Sequence, residues 1–523
     1  MNKLYVNIVW HMHQPYYFSE EEGAFVLPWV RTHATKDYLF MGKLLERFPG
    51  VRVTFNFVPS LLRQIQLYLE GKEDRIMLLA KKNASLLTEK EKQDILEQFF
   101  WVGPPNAYAA FPRYGELKEK SYLGVQGFET QDLLDLQILY QLIWFDPLSL
   151  QEESLRVLKE RGRNYREEDK EIVWKATRKT FQEIFAQYQK LLQSGQIEIS
   201  FSPFYHPILP LLIDTEIARS AHPGISLPET RFAFPQDAKM QVRRGKELSE
   251  SIWGMAMKGM WPSEGSLSEE ALGVIAEEQI SWVATDEGIL SKSLGKELED
   301  ELYLPHRYGK VAIFFRDRVI SDMIGFEYHR QSTENAVNDF IQRIEGLKRR
   351  LFGKEEKPYV LSIVLDGENA WEYYVDNGLP FLSELYRFLS QDSELETVTP
   401  SYYLSKHGWL PELKRVLPGS WIFGNFDTWI GHWEKNRAWE ELGRMRMRFE
   451  ALKMHLPRKV REMVEELFYQ AEGSDWFWWL GEDHPSPQKS IFWDHFCSLI
   501  TRIGRLLRDE LSFEEEKMWT PET

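Results

Sequence analysis

The chain has 523 residues, a formal net charge of -16 at pH 7 and one cysteine, and 14 % of its residues are aromatic. That length supports a large core and two or more domains. The acidic balance disfavours nucleic acid and anionic membrane, which reward basic surfaces, and the lone Cys497 excludes an intrachain disulfide framework.

Seven short apolar segments, rich in β-branched and aromatic residues, each stop at a polar or Pro-containing turn, as buried parallel strands do. Leu4 to Trp10 runs into His11-Met12-His13-Gln14-Pro15, Val51 to Phe57 into Val58-Pro59, and Ile197 to Phe201 into Tyr205-His206-Pro207. Gly259-Met260-Trp261 precedes Pro262-Ser263-Glu264, and Ile280 to Ala284 precedes Thr285-Asp286-Glu287. Val311 to Phe315 leads to Arg316-Asp317, and Tyr359 to Leu365 leads to Asp366-Gly367-Glu368-Asn369. The intervals are long enough for crossover helices. One of these, Glu334 to Phe352, repeats Ala336, Phe340, Ile344 and Leu347 at helical spacing.

The interval between 60 and 190 exceeds one crossover. Helical patterns at Glu91 to Phe100 and Gln131 to Trp144 predict a helical insertion there, with Glu167-Glu168-Asp169-Lys170 on its charged surface. After about residue 395 strand signals fade, and Trp439 to Leu456 and Lys459 to Ala471 read as amphipathic helices. The expected organisation is a barrel over 1–395 and a C-terminal helical domain over 396–523. No apolar run reaches the roughly 18 residues of a spanning helix. The N-terminus offers one Lys and no small-residue cleavage site, so the expectation is a cytoplasmic protein without a signal peptide.

A parallel barrel gathers residues from its strand ends into one site. His11, His13, Glu198, His206, Glu264, Asp366 and Glu368 all lie at or near the ends of predicted strands. Glu264 and Asp366 each sit in a Gly-containing turn, and two such acids facing each other across a barrel mouth could perform retaining glycoside hydrolysis. Either could instead cap a helix. Aromatics interleaved with acids suit a neutral sugar, whose flat apolar faces stack on rings while its hydroxyls bond to polar groups. For any one Trp, core packing is the plainer reading. Two rival classes remain at this point: a metal-dependent amide or ester hydrolase built on His11-x-His13 with His206 and Asp366, and a non-catalytic carbohydrate-binding protein.

Five short stretches in order resemble the motifs of glycoside hydrolase family 57. They are His11-Met12-His13-Gln14-Pro15; Gly195-Gln196-Ile197-Glu198-Ile199, running on to Tyr205-His206-Pro207; Gly259-Met260-Trp261-Pro262-Ser263-Glu264-Gly265-Ser266; Leu365-Asp366-Gly367-Glu368-Asn369; and Ala471-Glu472-Gly473-Ser474-Asp475-Trp476-Phe477-Trp478-Trp479. The resemblance implies a (β/α)7 barrel followed by a C-terminal helical bundle that completes the active site. It implies retaining action on α-glucans or maltooligosaccharides, with no metal or other cofactor. Glu264 maps onto the nucleophile and Asp366 onto the acid/base. His11, His13, Glu198, His206, Glu368 and Asp475 are expected to contact the sugar, with Trp261 and Trp476 as stacking faces. Thr428-Trp429-Ile430-Gly431 and Asn436-Arg437-Ala438-Trp439 are similar to the amylopullulanase and α-amylase branch. A 4-α-glucanotransferase using the same double displacement is the alternative.

Overall fold

The computed structural model describes residues 3–101, 106–354 and 356–507. All seven predicted strands are present: β1 (Leu4–Met12), β2 (Val53–Phe57), β3 (Ile197–Phe201), β4 (Gly259–Met260), β5 (Trp282–Asp286), β6 (Val311–Arg316) and β7 (Val360–Asp366). They pair in parallel in chain order, and β7 returns to β1 along Tyr5–His11 against Val360–Asp366. The side between β6 and β7 is a single rung, Arg316 opposite Ser362. With that rung the (β/α)7 barrel is closed.

Strand side chains alternate with period two, and the two faces of the barrel take different residues. Leu4, Val6, Ile8, Trp10 and Met12 of β1, Val53, Phe55 and Phe57 of β2, and Leu361, Ile363 and Leu365 of β7 point outward into the main hydrophobic core beneath the helices. Val9, Trp282, Ala284, Ala312, Phe314, Val360 and Val364 fill the lumen. At the upper inward position the residue is polar on six strands: His11, Asn56, Ser200, Asp286, Arg316 and Asp366. The lumen is therefore a packed plug with a polar upper layer, which is where barrel sites form.

The lower end is sealed by chain that follows the barrel. Strand β8 (Leu395–Val398) runs parallel to Leu4–Asn7 on the edge of β1 that β2 occupies higher up, and helix Pro400–Lys406 carries Tyr403 into the lumen cluster. The boundary expected near residue 395 thus falls inside a strand of the barrel sheet.

The 60–190 segment has its own hydrophobic cluster, with Ile95, Tyr114, Leu139, Tyr140 and Trp174 at its centre. The run Glu167 to Lys170 is less exposed than expected. It opens helix Glu167–Gln193, where Asp169 accepts from the Arg166 backbone N–H at 2.8 Å, and buried Lys170 donates to the Lys82 carbonyl at 2.6 Å and to Gln137 at 2.8 Å. After residue 406 a largely irregular stretch leads to helices Trp433–Leu452, Arg458–Ala471, Ser474–Trp478 and Lys489–Leu506. Among the described residues no helix is long and apolar enough to cross a membrane.

Gly259 stands beside Trp282 in the β4–β5 pair, and a Cβ built on it would lie 1.8 Å from the indole Cε2. Gly259→Ala should therefore destabilise the protein by roughly 3 kcal/mol. Gly273, inside helix Glu269–Glu277 with open space around it, should tolerate Ala and gain up to about 1 kcal/mol of helix propensity. Thermal midpoints moving in opposite directions for the two variants are the expected result.

Candidate active site

The polar layer of the lumen and the loops above it converge on one cleft. Glu264 sits in the turn Ser263–Gly265 just beyond β4, in the left-handed region at φ 58° and ψ 26°. His206, beyond β3, is also left-handed at φ 57°. A non-Gly residue in this region carries strain of order 1–3 kcal/mol that the surroundings must hold in place. The Glu264 turn is held by Thr285 Oγ1 donating to the Gly265 carbonyl at 2.6 Å and by the Trp421 backbone N–H donating to the Glu264 carbonyl at 3.0 Å. The same Trp421 donates its indole N–H to Glu264 Oε2 at 2.7 Å.

His11, His13 and His206 form a stack. The His13 and His206 ring centres are 3.9 Å apart with planes tilted by 26°, and His11 lies 5.2 Å from His206. Burial and the neighbouring imidazoles push His206 well below its ordinary pKa, and burial and His13 bring His11 down to about 3. His13 moves the other way. Burial opposes its charge, but Asp475 at 2.8 Å, with Glu368 and Glu264 behind it, outweighs burial and raises the pKa. Of the three rings His13 is therefore the one that most readily takes a proton, and it is paired with Asp475. His11 Nδ1 bonds Asn56 Oδ1 at 2.7 Å, and His206 Nδ1 lies 3.1 Å from Ser474 Oγ.

Asp475 reaches the barrel because its turn is clamped. The Ser474 backbone N–H donates to the His206 carbonyl at 3.1 Å. Below it, Gln241 in helix Pro235–Trp253 accepts from the Tyr205 backbone N–H at 3.0 Å and donates to the Tyr469 carbonyl and to Glu472 Oε2, both at 2.9 Å. One side chain thus positions both the His206 loop and the Asp475 turn. Burial, then Asp237, holds Glu472 well above the usual carboxylate range, and Asp237 itself accepts from Nε and Nη2 of Arg446 at 2.7 and 2.9 Å.

The acids of the cleft are poised to hold protons near neutrality. Burial pushes Asp366 up to about 6, with His13 and Arg316 opposing. Burial also pushes Glu264 up to about 8, with the Trp421 indole opposing and Asp366 adding to the rise. Glu368 is raised to about 7 by burial, against His33, Tyr38 and Gln14. Desolvation is thus the first cause at all three acids.

The cleft brings together Glu264, Asp366, His13 and Asp475, each partly open to solvent. The other expected contacts lie behind these four or elsewhere. Glu368 is buried and occupied by the His13 backbone N–H at 2.9 Å and by Gln14 at 2.6 Å, so it orients His13 from beneath. His11 and His206 are buried at the back of the stack. Trp261 is fully buried under the Glu264 turn, and Trp476 is 3 % exposed with its N–H on the Gln470 carbonyl, so neither offers an open face to a sugar. Glu198 is not in the cleft. It is the second residue of β3, one inward layer below Ser200, and its carboxylate takes Trp282 Nε1 at 2.8 Å and both the N–H and the hydroxyl of Ser401 at 3.0 and 2.6 Å. Its role is to fasten the lower plug.

Three residues escaped the sequence reading. Asn56 and Arg316 were discoverable, since each is the last inward residue of an apolar strand. Trp421 comes from the irregular stretch after the barrel and carried no such signal.

His13, His206 and Asp475 place potential metal ligand atoms within 4.8 Å of one another. Two stacked imidazoles do not aim their lone pairs at a common point, and His13 Nε2 already faces Asp475, so a tetrahedral ion would require both rings to turn. The set expected for a metal hydrolase, His11 and His13 with His206 and Asp366, is not the one whose ligand atoms approach one another among the described residues.

Comparison with protein families matches residues 7–410 to glycosyl hydrolase family 57. The chain belongs to that family. It is accordingly a glycoside-active enzyme. Its fold is similar to that of a family 57 branching enzyme from Thermococcus kodakaraensis, at 16 % identity and TM-score 0.61 over 96 % of this chain and 90 % of the other. An α-amylase from Thermotoga maritima aligns at 14 % identity and TM-score 0.59, covering 97 % and 96 % of the two chains. A 4-α-glucanotransferase from Thermococcus litoralis aligns at 16 % identity and TM-score 0.55, covering 97 % of this chain and 60 % of the other. A search of curated protein sequences returns no match.

Trp421→Phe keeps an aromatic ring but removes the indole N–H to Glu264, along with part of the bicycle that packs on Trp261. A hydrogen bond to a charged group contributes about 1.5–3 kcal/mol, so turnover should fall by roughly ten- to a hundredfold. Because the indole lowers the Glu264 pKa, its loss should move the alkaline limb of the pH–rate profile upward. An unmoved limb would show that the bond does not govern Glu264.

Proposed function

We propose that this enzyme hydrolyses α-glucans with retention, through a covalent glycosyl-enzyme formed on Glu264, with Asp366 as acid and then base. The observation that carries this reading is the pair itself. Two carboxyl groups, each mostly withdrawn from solvent, share one proton between about pH 6 and pH 8; the Trp421 indole N–H supports the charge of Glu264, and Arg316 supports that of Asp366. In the free enzyme the shared proton therefore rests on Glu264, and the first displacement requires it to pass to Asp366 once the sugar is bound.

In that step Glu264 Oε1 or Oε2 attacks the anomeric carbon while Asp366 gives its proton to the departing glycosidic oxygen. Esterification then removes the charge of Glu264, which leaves Asp366 free to accept a proton from the incoming water. His13 and Asp475, the other two groups open to the cleft, would hold hydroxyls of the sugar at the cleavage point by charge-assisted hydrogen bonds. The family membership supports glycoside chemistry, and the amylopullulanase-like wording of 428–439 supports hydrolysis over transfer.

Glu264→Gln and Asp366→Asn should fold normally, and each should lose at least about a thousandfold in turnover on maltooligosaccharides. The wild-type rate should be bell-shaped in pH with a maximum near about pH 7: below the Asp366 value both acids are protonated and no nucleophile remains, and above the Glu264 value no acid remains. A Glu264→Gln enzyme free of wild-type contamination and turning over normally would reject the assignment. Product analysis on maltooligosaccharides, amylose and pullulan tests the outcome of the second step. Shorter products alone are expected, and longer disproportionated chains would mean transfer to sugar.

A further inference from the structure

The segment that carries Trp421 contains a residue at odds with its surroundings. Gly419 and Leu267 exchange backbone hydrogen bonds at 2.9 and 3.1 Å, Ser420 Oγ donates to the Asn425 carbonyl at 2.7 Å, and Lys292 Nζ donates to the Gly424 carbonyl at 2.8 Å. The loop 419–425 is therefore a stitched turn. Lys292 belongs to helix Glu287–Leu294, which leaves the upper end of β5, so the loop is fixed on the same barrel face as Asp366 and His13. At its tip stands Phe423, 84 % exposed and in the left-handed region at φ 53°.

Neither local term accounts for an aromatic residue there. The left-handed backbone sets Cβ against the following carbonyl, a conformation that glycine adopts freely and bulky residues avoid. Exposure means that packing returns nothing for the hydrophobic ring. What the position does supply is a ring on a rigid support, two residues from the Trp421 indole that holds Glu264. An aromatic face with its backbone already fixed binds a pyranose ring with little ordering cost.

We propose that Phe423 is the platform of an outer sugar subsite, stacking a glucose ring of an α-glucan beyond the residue undergoing cleavage. This rests on the α-glucan reading above. It also sets a length preference, since only a chain long enough to span from the Glu264–Asp366 pair to the loop tip gains the contact.

The test measures binding and folding separately. In a Glu264→Gln background, which prevents turnover, Phe423→Gly should keep or raise the thermal midpoint because the strain is relieved. It should weaken calorimetric binding of maltoheptaose and soluble amylose by about tenfold. Phe423→Tyr should retain the affinity of the Phe423 protein. In the otherwise native enzyme, Phe423→Gly should raise KM for amylose by a similar factor with a much smaller change in kcat. Equal affinity of the Gly and Phe proteins for both glucans would overturn the subsite while leaving the catalytic assignment intact. Absence of binding and of turnover on any α-glucan by the protein with Phe423 in place would instead reject the substrate class, and the subsite with it.

Discussion

The hydrogen-bonded charge pair between His13 and Asp475 joins residues 462 positions apart, and the rest of the cleft depends on it. His13 lies against two neutral imidazoles and would lose its proton to burial if Asp475 were absent. Asp475 would in turn be a poorly hydrated charge facing Glu264 and Asp366. Breaking one partner of a buried pair commonly costs about 3–5 kcal/mol because the other is left uncompensated. The polar scaffolding around the pair follows from this: Glu368 fixes the His13 backbone, Ser474 is anchored on His206, and Gln241 bonds to both loops at once. The C-terminal helices are thereby part of the site's geometry.

The charge distribution explains how an acidic protein can keep three raised carboxyl groups in and beneath one cleft. Only His13 and Arg316 supply nearby positive charge to Asp366, and both are themselves engaged. Desolvation is left as the dominant influence, so the acids hold protons near neutral pH without a dedicated neighbour. The indole of Trp421 then differentiates two otherwise similar groups. Strained backbone at both Glu264 and His206 marks the same region as the place where local preference yields to the arrangement of the site.

The barrel was legible in the sequence because each strand is a short apolar run ending in a polar turn, and buried parallel strands leave that signature. Strand β8 was missed because Leu-Glu-Thr-Val is only four residues long and lies at an apparent change of domain. Glu264, Asp366, His13 and Asp475 were found through their motifs, and they do meet in one cleft. The motifs did not tell which of their other residues face the substrate. Glu198 and Trp261 lie in the same strands or turns as cleft residues, but strand parity and layer turn one towards the lower plug and the other into the lumen. That distinction depends on register, which a list of motif residues does not contain. Trp421 and Phe423 belong to a loop without periodicity, so only the folded chain shows what they adjoin.

Arg316 has two duties. It is the β6 half of the single rung that closes the barrel, and its Nε also holds the Val364 carbonyl at 2.7 Å. Its guanidinium meanwhile lies 5.3 Å from the centre of the Trp421 ring and lowers the pKa of Asp366. Closure of the cylinder and the acidity of Asp366 therefore share one side chain. Opening the seam at Arg316 would take a positive charge from Asp366 and raise its proton affinity, so that the enzyme's working pH range would record the opening of its own wall.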